Sequence, residues 1–243
     1  MSHTTTSPRT LARLAGVLYL LITVAAIVAH FYVPAQLIVP GDVAATAANI
    51  RTSGALFRLG IGSEFIVLLS EVMLSLILYI LFRPVSKGLA LSAAVFRLAM
   101  TTIHGINLLN SFFVMILLSD AAYLSAFTSE QVHALVQFFL DAHGYGFTIG
   151  IVFLAPHVFI LGYLIVRSGY VPRILGGLFL LAGIGYLIDS TALLLVPAYT
   201  TTPGFIALII AVAEIAFPLW LLIKGVQTAQ DYRTLLVKGF LND

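Results

Sequence analysis

The chain has 243 residues, 60% hydrophobic and only 9% charged, with a formal net charge of +2 and no cysteine. A soluble domain carries about 25% charged residues, so there is too little polar surface here to cover a water-facing globule. Dispersed, nearly balanced charge excludes a nucleic-acid face, and the missing thiols exclude disulfides, zinc–thiolate centres, iron–sulfur clusters and cysteine nucleophiles.

Apolar runs long enough to cross a bilayer, about 20 residues each, occur six times: residues 12–34, 54–82, 88–118, 139–166, 173–197 and 203–224. Backbone amides without partners cost several kcal/mol each in lipid, so the runs must be helical. The strict alternation of a membrane barrel is absent. The fold expected is therefore all-α: a six-transmembrane-helix bundle over 12–225, between cytoplasmic tails at 1–11 and 226–243.

Pro34 and Pro40 mark the end of span one. Residues 41–54, "GDVAATAANIRTSG", suit a short extracytoplasmic helix between spans one and two. "FRPVSKG" (82–88) is a tight turn and "LSDAAYLSAFTSEQ" (118–131) a polar connection, with Thr128 or Ser129 as a helix cap. "GYGFTIG" (144–150) reads as loop-like but lacks the lysine of a phosphate loop. "RSGYVPR" (167–173) and "VPAYTTTPG" (196–204) are loops. The tail stretch "YRTLLVKGFL" suits an amphipathic helix lying on the membrane. No fixed-period repeat and no second domain are evident.

Of the twelve basic residues, nine fall on one side of this arrangement: Arg9, Arg13, Arg83, Lys87, Arg167, Arg173, Lys224, Arg233 and Lys238. The opposite loops hold Arg51, with Arg58 just inside span two. The bias predicts a multi-pass protein of the plasma membrane with both termini cytoplasmic. Arg9 and Arg13 before "LAGVLYLLITVAAIVA" also fit a secretory signal cleaved near Ala29. That run is long for a signal, and its loss would leave five spans against the charge bias.

Four phrases carry a family likeness: "RLAGVLYLLI", "IVPGDVAATAANIRTSGALFRLG", "LYILFRPVSKGLALSAAVFRL" and "RSGYVPRILGGLFLLAGIGYLID". Over residues 10–225 the chain resembles a bacterial membrane family known as domain-of-unknown-function family 4386. The resemblance implies a small multi-span protein in which the "PGD…NI" loop and the "PRILG" turn belong to the fold. It implies no activity, catalytic residue or cofactor.

The ionisable residues inside the spans are the functional candidates, because each costs roughly 2.5–3.5 kcal/mol on insertion. Glu71, His104 and Glu214 lie near mid-depth of spans two, three and six, and His157 about one turn to the cytoplasmic side in span four. Arg97 lies about two turns to the cytoplasmic side of His104, and Glu64 about two turns outward of Glu71. Asp189 is about one turn outward in span five, and Arg58, Asp141 and His143 are near the outer boundary. At about 100° per residue, Glu64, Glu71 and Ser75 share a face, as do His143 and His157, while Arg97, Thr101, His104 and Asn107 form a stripe. Lipid cannot satisfy such groups, so they are expected to point inward.

The polar-cavity candidates are thus Glu64, Glu71, Arg97, His104, Asn107, His143, His157, Asp189 and Glu214. Arg97 is expected to pair with Glu71 or Glu214. Glu71, His104, His157 and Glu214 are expected to line one cavity at mid-depth.

Three functions compete. Binding or translocation of a small solute, ion or proton suits midplane carboxylates and histidines. A metal-dependent intramembrane hydrolase would draw zinc ligands from Glu71, His104, His157 and Glu214, yet no HExxH-type signature is present and no metal ligand is assigned. The third is purely structural: polar groups joining helices, with nothing bound or turned over. His143 and His157, opposed by His104, would also space two haems. Membrane lipids are the expected partners, with a small-molecule or ion ligand and no nucleic acid. Six helices without repeats are few for a transporter, which homo-oligomerisation would remedy. Tyr19, Tyr32, Tyr123, Tyr163, Tyr170, Tyr199 and Trp220 read as interfacial anchors. His133 and His3 read as solvated.

Overall fold

A computed structural model describes residues 7–226, so His3 and the tail stretch "YRTLLVKGFL" lie outside the described residues. All regular structure among the described residues is helical. Six helices are long and apolar enough to cross a membrane: Pro8–Leu37, Gly54–Phe82, Lys87–Leu117, Ser129–Ser168, Arg173–Leu195 and Gly204–Ile223. Each packs against the next in chain order and the sixth returns to the first, so the spans close a ring. Short connections make neighbours antiparallel, and the ring leaves an interior for polar groups while its outside stays apolar. Leu69 is 70% exposed and Leu208 64%, a surface that only lipid suits.

Local chemistry sets the ends. The Ser7 hydroxyl caps span one by accepting the Thr10 N–H, with Pro8 in its first turn. Thr128 and Gln131 form a reciprocal capping box at the start of span four. Gly169, at φ 75°, ends that helix in the left-handed conformation open to glycine. In the turn beyond it, the Tyr170 hydroxyl donates to Leu81 O at 2.6 Å and the ring packs on Phe82. Tyr170 is 1% exposed, so it locks the turn rather than anchoring at an interface.

The helix Val43–Thr52 forms as expected between spans one and two. Asp42 caps it by accepting the Ala45 N–H, and the Asn49 amide donates to Leu37 O, the open end of span one. Ile50 then buries against Val33, Leu37, Val114 and Val136. Each polar residue of the "PGD…NI" loop thereby has a structural task.

Two expectations about backbone fail. Pro34 does not end span one. The helix instead widens over Val28–Tyr32, where the Val33 N–H donates to Val28 O five residues back, and continues to Leu37. "GYGFTIG" is not a loop but part of span four, which runs unbroken for 40 residues, about 60 Å. Its glycines serve close packing: a Cβ on Gly146 would lie 1.9 Å from Asn107 Oδ1, and one on Gly150 2.0 Å from His104 Nε2.

The apolar core divides in two. One cluster occupies the side holding Ala12, Leu74, Leu78, Ala90, Val158 and Phe217, and the other holds Val33, Ile50, Val114 and Val136. On each of the first four spans the interval between the clusters carries the ionisable groups: His30, Glu64 and Glu71, Arg97 and His104, and His143.

Candidate functional site

The interior polar groups form two clusters. The deeper one is built on Arg97, 4% exposed on span three. Its Nε pairs with Glu71 Oε2 on span two. Nη1 donates to Tyr19 Oη at 3.3 Å on span one and to His157 Nε2 at 2.8 Å on span four. The guanidinium also sits over the Tyr19 ring, 5.0 Å from its centroid. The other nitrogen of His157, Nδ1, lies 2.8 Å from Ala93 O. With Nε2 accepting from Arg97, Nδ1 carries the proton and donates. Both ring nitrogens are therefore engaged, which removes His157 from any zinc-ligand set or haem pair.

Glu214, half-buried on span six, acts electrostatically on Arg97 and Glu71, as it does on Tyr186 of span five. Two carboxylates thus share one arginine, and Glu71 holds the direct contact. Tyr19 is a second departure from the interfacial reading. It is 3% exposed and packs edge-on against Phe217, which packs on Phe179. Trp220 is a third: its indole N–H is buried with no partner among the described residues.

The second cluster lies toward the opposite side. His143 Nε2 is 3.3 Å from Glu64 Oε1. Asn107 Nδ2 donates to His143 O at 2.9 Å and is itself held by Asn110, whose amide donates to Asn107 Oδ1. His30 faces the same place from the widened turn of span one. One ligand atom from each of His30, Glu64 and His143 lies within 4.8 Å of the others. All three line a cavity of about 400 Å³ whose other walls include Phe57, Ile61, Ser111, Leu140 and Phe147.

His104 does not join Glu71, His157 and Glu214 in one cavity. Its Nε2 lies 3.0 Å from Phe147 O and its ring stacks on Phe147, centroids 4.9 Å apart. It remains within electrostatic reach of both Glu71 and Glu64, so it stands between the clusters. The proposed zinc set of Glu71, His104, His157 and Glu214 is therefore not assembled.

Asp189 stands apart from both clusters. It accepts from Tyr199 Oη at 2.7 Å and Thr202 Oγ1 at 2.9 Å, pinning the loop between spans five and six. Its carboxylate, as acceptor, pushes the Tyr199 hydroxyl up to about 12. Asp141 is exposed and accepts from Gln137.

Sequence reasoning missed His30 and misread Tyr19. A histidine four residues before a proline inside a span was the available signal for His30: the proline has no N–H for the histidine carbonyl, so the helix must deform there. For Tyr19 the signal was depth. It lies about 17 Å into the helix from Pro8, too far for an interfacial belt.

A family model described as "Domain of unknown function (DUF4386)" matches residues 14–225. A protein of Archaeoglobus fulgidus, described as "Uncharacterized protein", is 31% identical over 165 residues, covering 66% of this chain and 80% of that one. No solved structure matches.

Proposed function

The chain belongs to the family described as "Domain of unknown function (DUF4386)", and from that premise, which assigns no chemistry, we propose that it binds and passes protons or a small cation through its ring of six spans. The observation that carries this is the pairing of a roughly 400 Å³ cavity lined by His30, Glu64 and His143 with the deeper Arg97 cluster, with His104 between them. Charge decides cation over anion. Glu64, Glu71 and Glu214 all face the interior, and Arg97, which Glu71 and Glu214 share, is the guanidinium that opposes them among the described residues. Arg97 is moreover spent on Glu71, so among the described residues the interior holds no unpaired guanidinium or ammonium to attract an anion.

The test needs no known substrate. Purified protein in liposomes on a solid-supported membrane is stepped from neutral to mildly acidic pH, and the displaced charge is recorded. Wild type should give a capacitive transient above protein-free liposomes, with sustained current if protons cross unaided. Glu64→Gln and Glu214→Gln should each remove most of it, because a glutamine keeps the hydrogen bonds and loses the charge. Wild-type traces matching empty liposomes would refute the reading.

We also propose that the basic face is cytoplasmic, in a plasma membrane. Reporter fusions after Asp243 and within 121–128 should then report opposite sides, the second outside. The same side for both would overturn the orientation.

A further inference from the structure

The cavity between spans one, two and four has features that a hydrogen-bonded plug does not need. Pro34 cannot donate to the His30 carbonyl. The helix responds by widening over Val28–Tyr32, and single wide turns of this kind are frequent at functional sites. His30 sits in that turn, and neither of its ring nitrogens has a hydrogen-bond partner among the described residues. A histidine–glutamate contact would account for His143 and Glu64 and leave His30 without a role. The ring of His30 is instead seated on Phe147, centroids 4.6 Å apart, and near-parallel to His143 at 6.5 Å.

We propose that His30, Glu64 and His143 bind a divalent transition-metal ion, zinc by preference. This deepens the cation-binding reading above and rests on it. The three ligand atoms lie within 4.8 Å of one another. Donors bound at about 2.0–2.1 Å in tetrahedral geometry stand about 3.3 Å apart, and His143 Nε2 and Glu64 Oε1 are already 3.3 Å apart. The two edges that involve His30, each within 4.8 Å, are the ones that its ring must shorten on binding. Two imidazoles and one carboxylate suit a borderline ion such as zinc, whereas calcium and magnesium take all-oxygen shells of six or more. Among the described residues, no lysine or arginine lines the cavity to oppose a divalent charge. The remaining space leaves the fourth position open to water or a small solute, the pattern of an exchangeable or reactive site rather than a closed structural one.

Tag-free, chelator-stripped protein in detergent is titrated with Zn²⁺ by calorimetry, with Ca²⁺ and Mg²⁺ as comparison ions. One high-affinity zinc per chain is expected, and no binding of Ca²⁺ or Mg²⁺ in the same range. His30→Phe and Glu64→Gln should each weaken zinc binding by at least about tenfold, while His133→Gln should leave it unchanged. Should a variant fail to fold, wild type decides the matter. Its Co²⁺ form should show the visible absorption of a four-coordinate ion, and the zinc form an X-ray absorption shell with histidine scattering at about 2.0–2.1 Å. Absence of stoichiometric zinc binding, or a zinc shell without histidine, would overturn the site. Charge movement without zinc binding would remove the metal and leave the cation reading. Zinc binding without charge movement would do the reverse.

Discussion

Replacing Arg97 with leucine should destabilise the protein by roughly 3–5 kcal/mol, the cost of leaving one partner of a buried ion pair alone. The loss is wide because Arg97 serves three spans at once. Glu71 keeps an uncompensated charge, and His157 Nε2 and Tyr19 Oη each lose their contact with Nη1. Folded yield from membranes and the melting point in detergent should both fall sharply. Adding Glu71→Gln should restore part of the loss, since a neutral amide in that pocket costs much less than a bare carboxylate. Restoration by Glu214→Gln instead would mean that the arginine's true partner lies on span six. Equal melting of wild type and Arg97→Leu would remove the pair from any account of the fold.

The second large effect is expected where spans four and five touch backbone to backbone. A Cβ added at Gly176 would lie 2.7 Å from Gly162 O and 2.8 Å from Val166 N, and one at Gly162 would lie 2.7 Å from Leu180 N. Main-chain atoms cannot swing aside, so Gly176→Val must push the helices apart along the whole contact. Overpacking of this kind costs about 1–3 kcal/mol, occasionally more. The upper end is expected here because close approach is what joins helices in lipid. Gly177 supplies the control one residue away: a Cβ there meets nothing within 4 Å. Gly177→Val should melt within error of wild type, while Gly176→Val melts well below it. Similar melting of the two variants would show that the close approach contributes little.

Much of the candidate site was legible before any coordinates. Helical periodicity alone aligned Glu64 with Glu71 and Arg97 with His104 and Asn107. Insertion cost alone argued that they face inward. Asn107 does reach His143, and Arg97 does take Glu71. His104 was misgrouped because equal depth on two spans says nothing about which side of the ring each faces. Its neighbour is instead Phe147 on span four, brought close by the bare backbone of Gly150. Asp189 was read as interior because its own span is apolar. Its partners, Tyr199 and Thr202, lie ten and thirteen residues on in a loop whose course no periodicity describes.

By itself, the sequence determined the solvent, the number of spans, the helical backbone and the inward facing of the deepest charges, Glu71 and Arg97, though not of Arg58 and Asp141, which are exposed. Each of these follows from free energies that act residue by residue: hydrocarbon tolerates neither open amides nor bare charge. Only the tertiary structure decided which inward groups meet. Whether Glu71 or Glu214 takes Arg97, whether His157 spends both nitrogens, and whether His30 joins Glu64 and His143 all depend on helix rotation and separation. Those are set by small residues such as Gly162 and Gly176 and by the widened turn before Pro34, contacts between segments far apart in the chain.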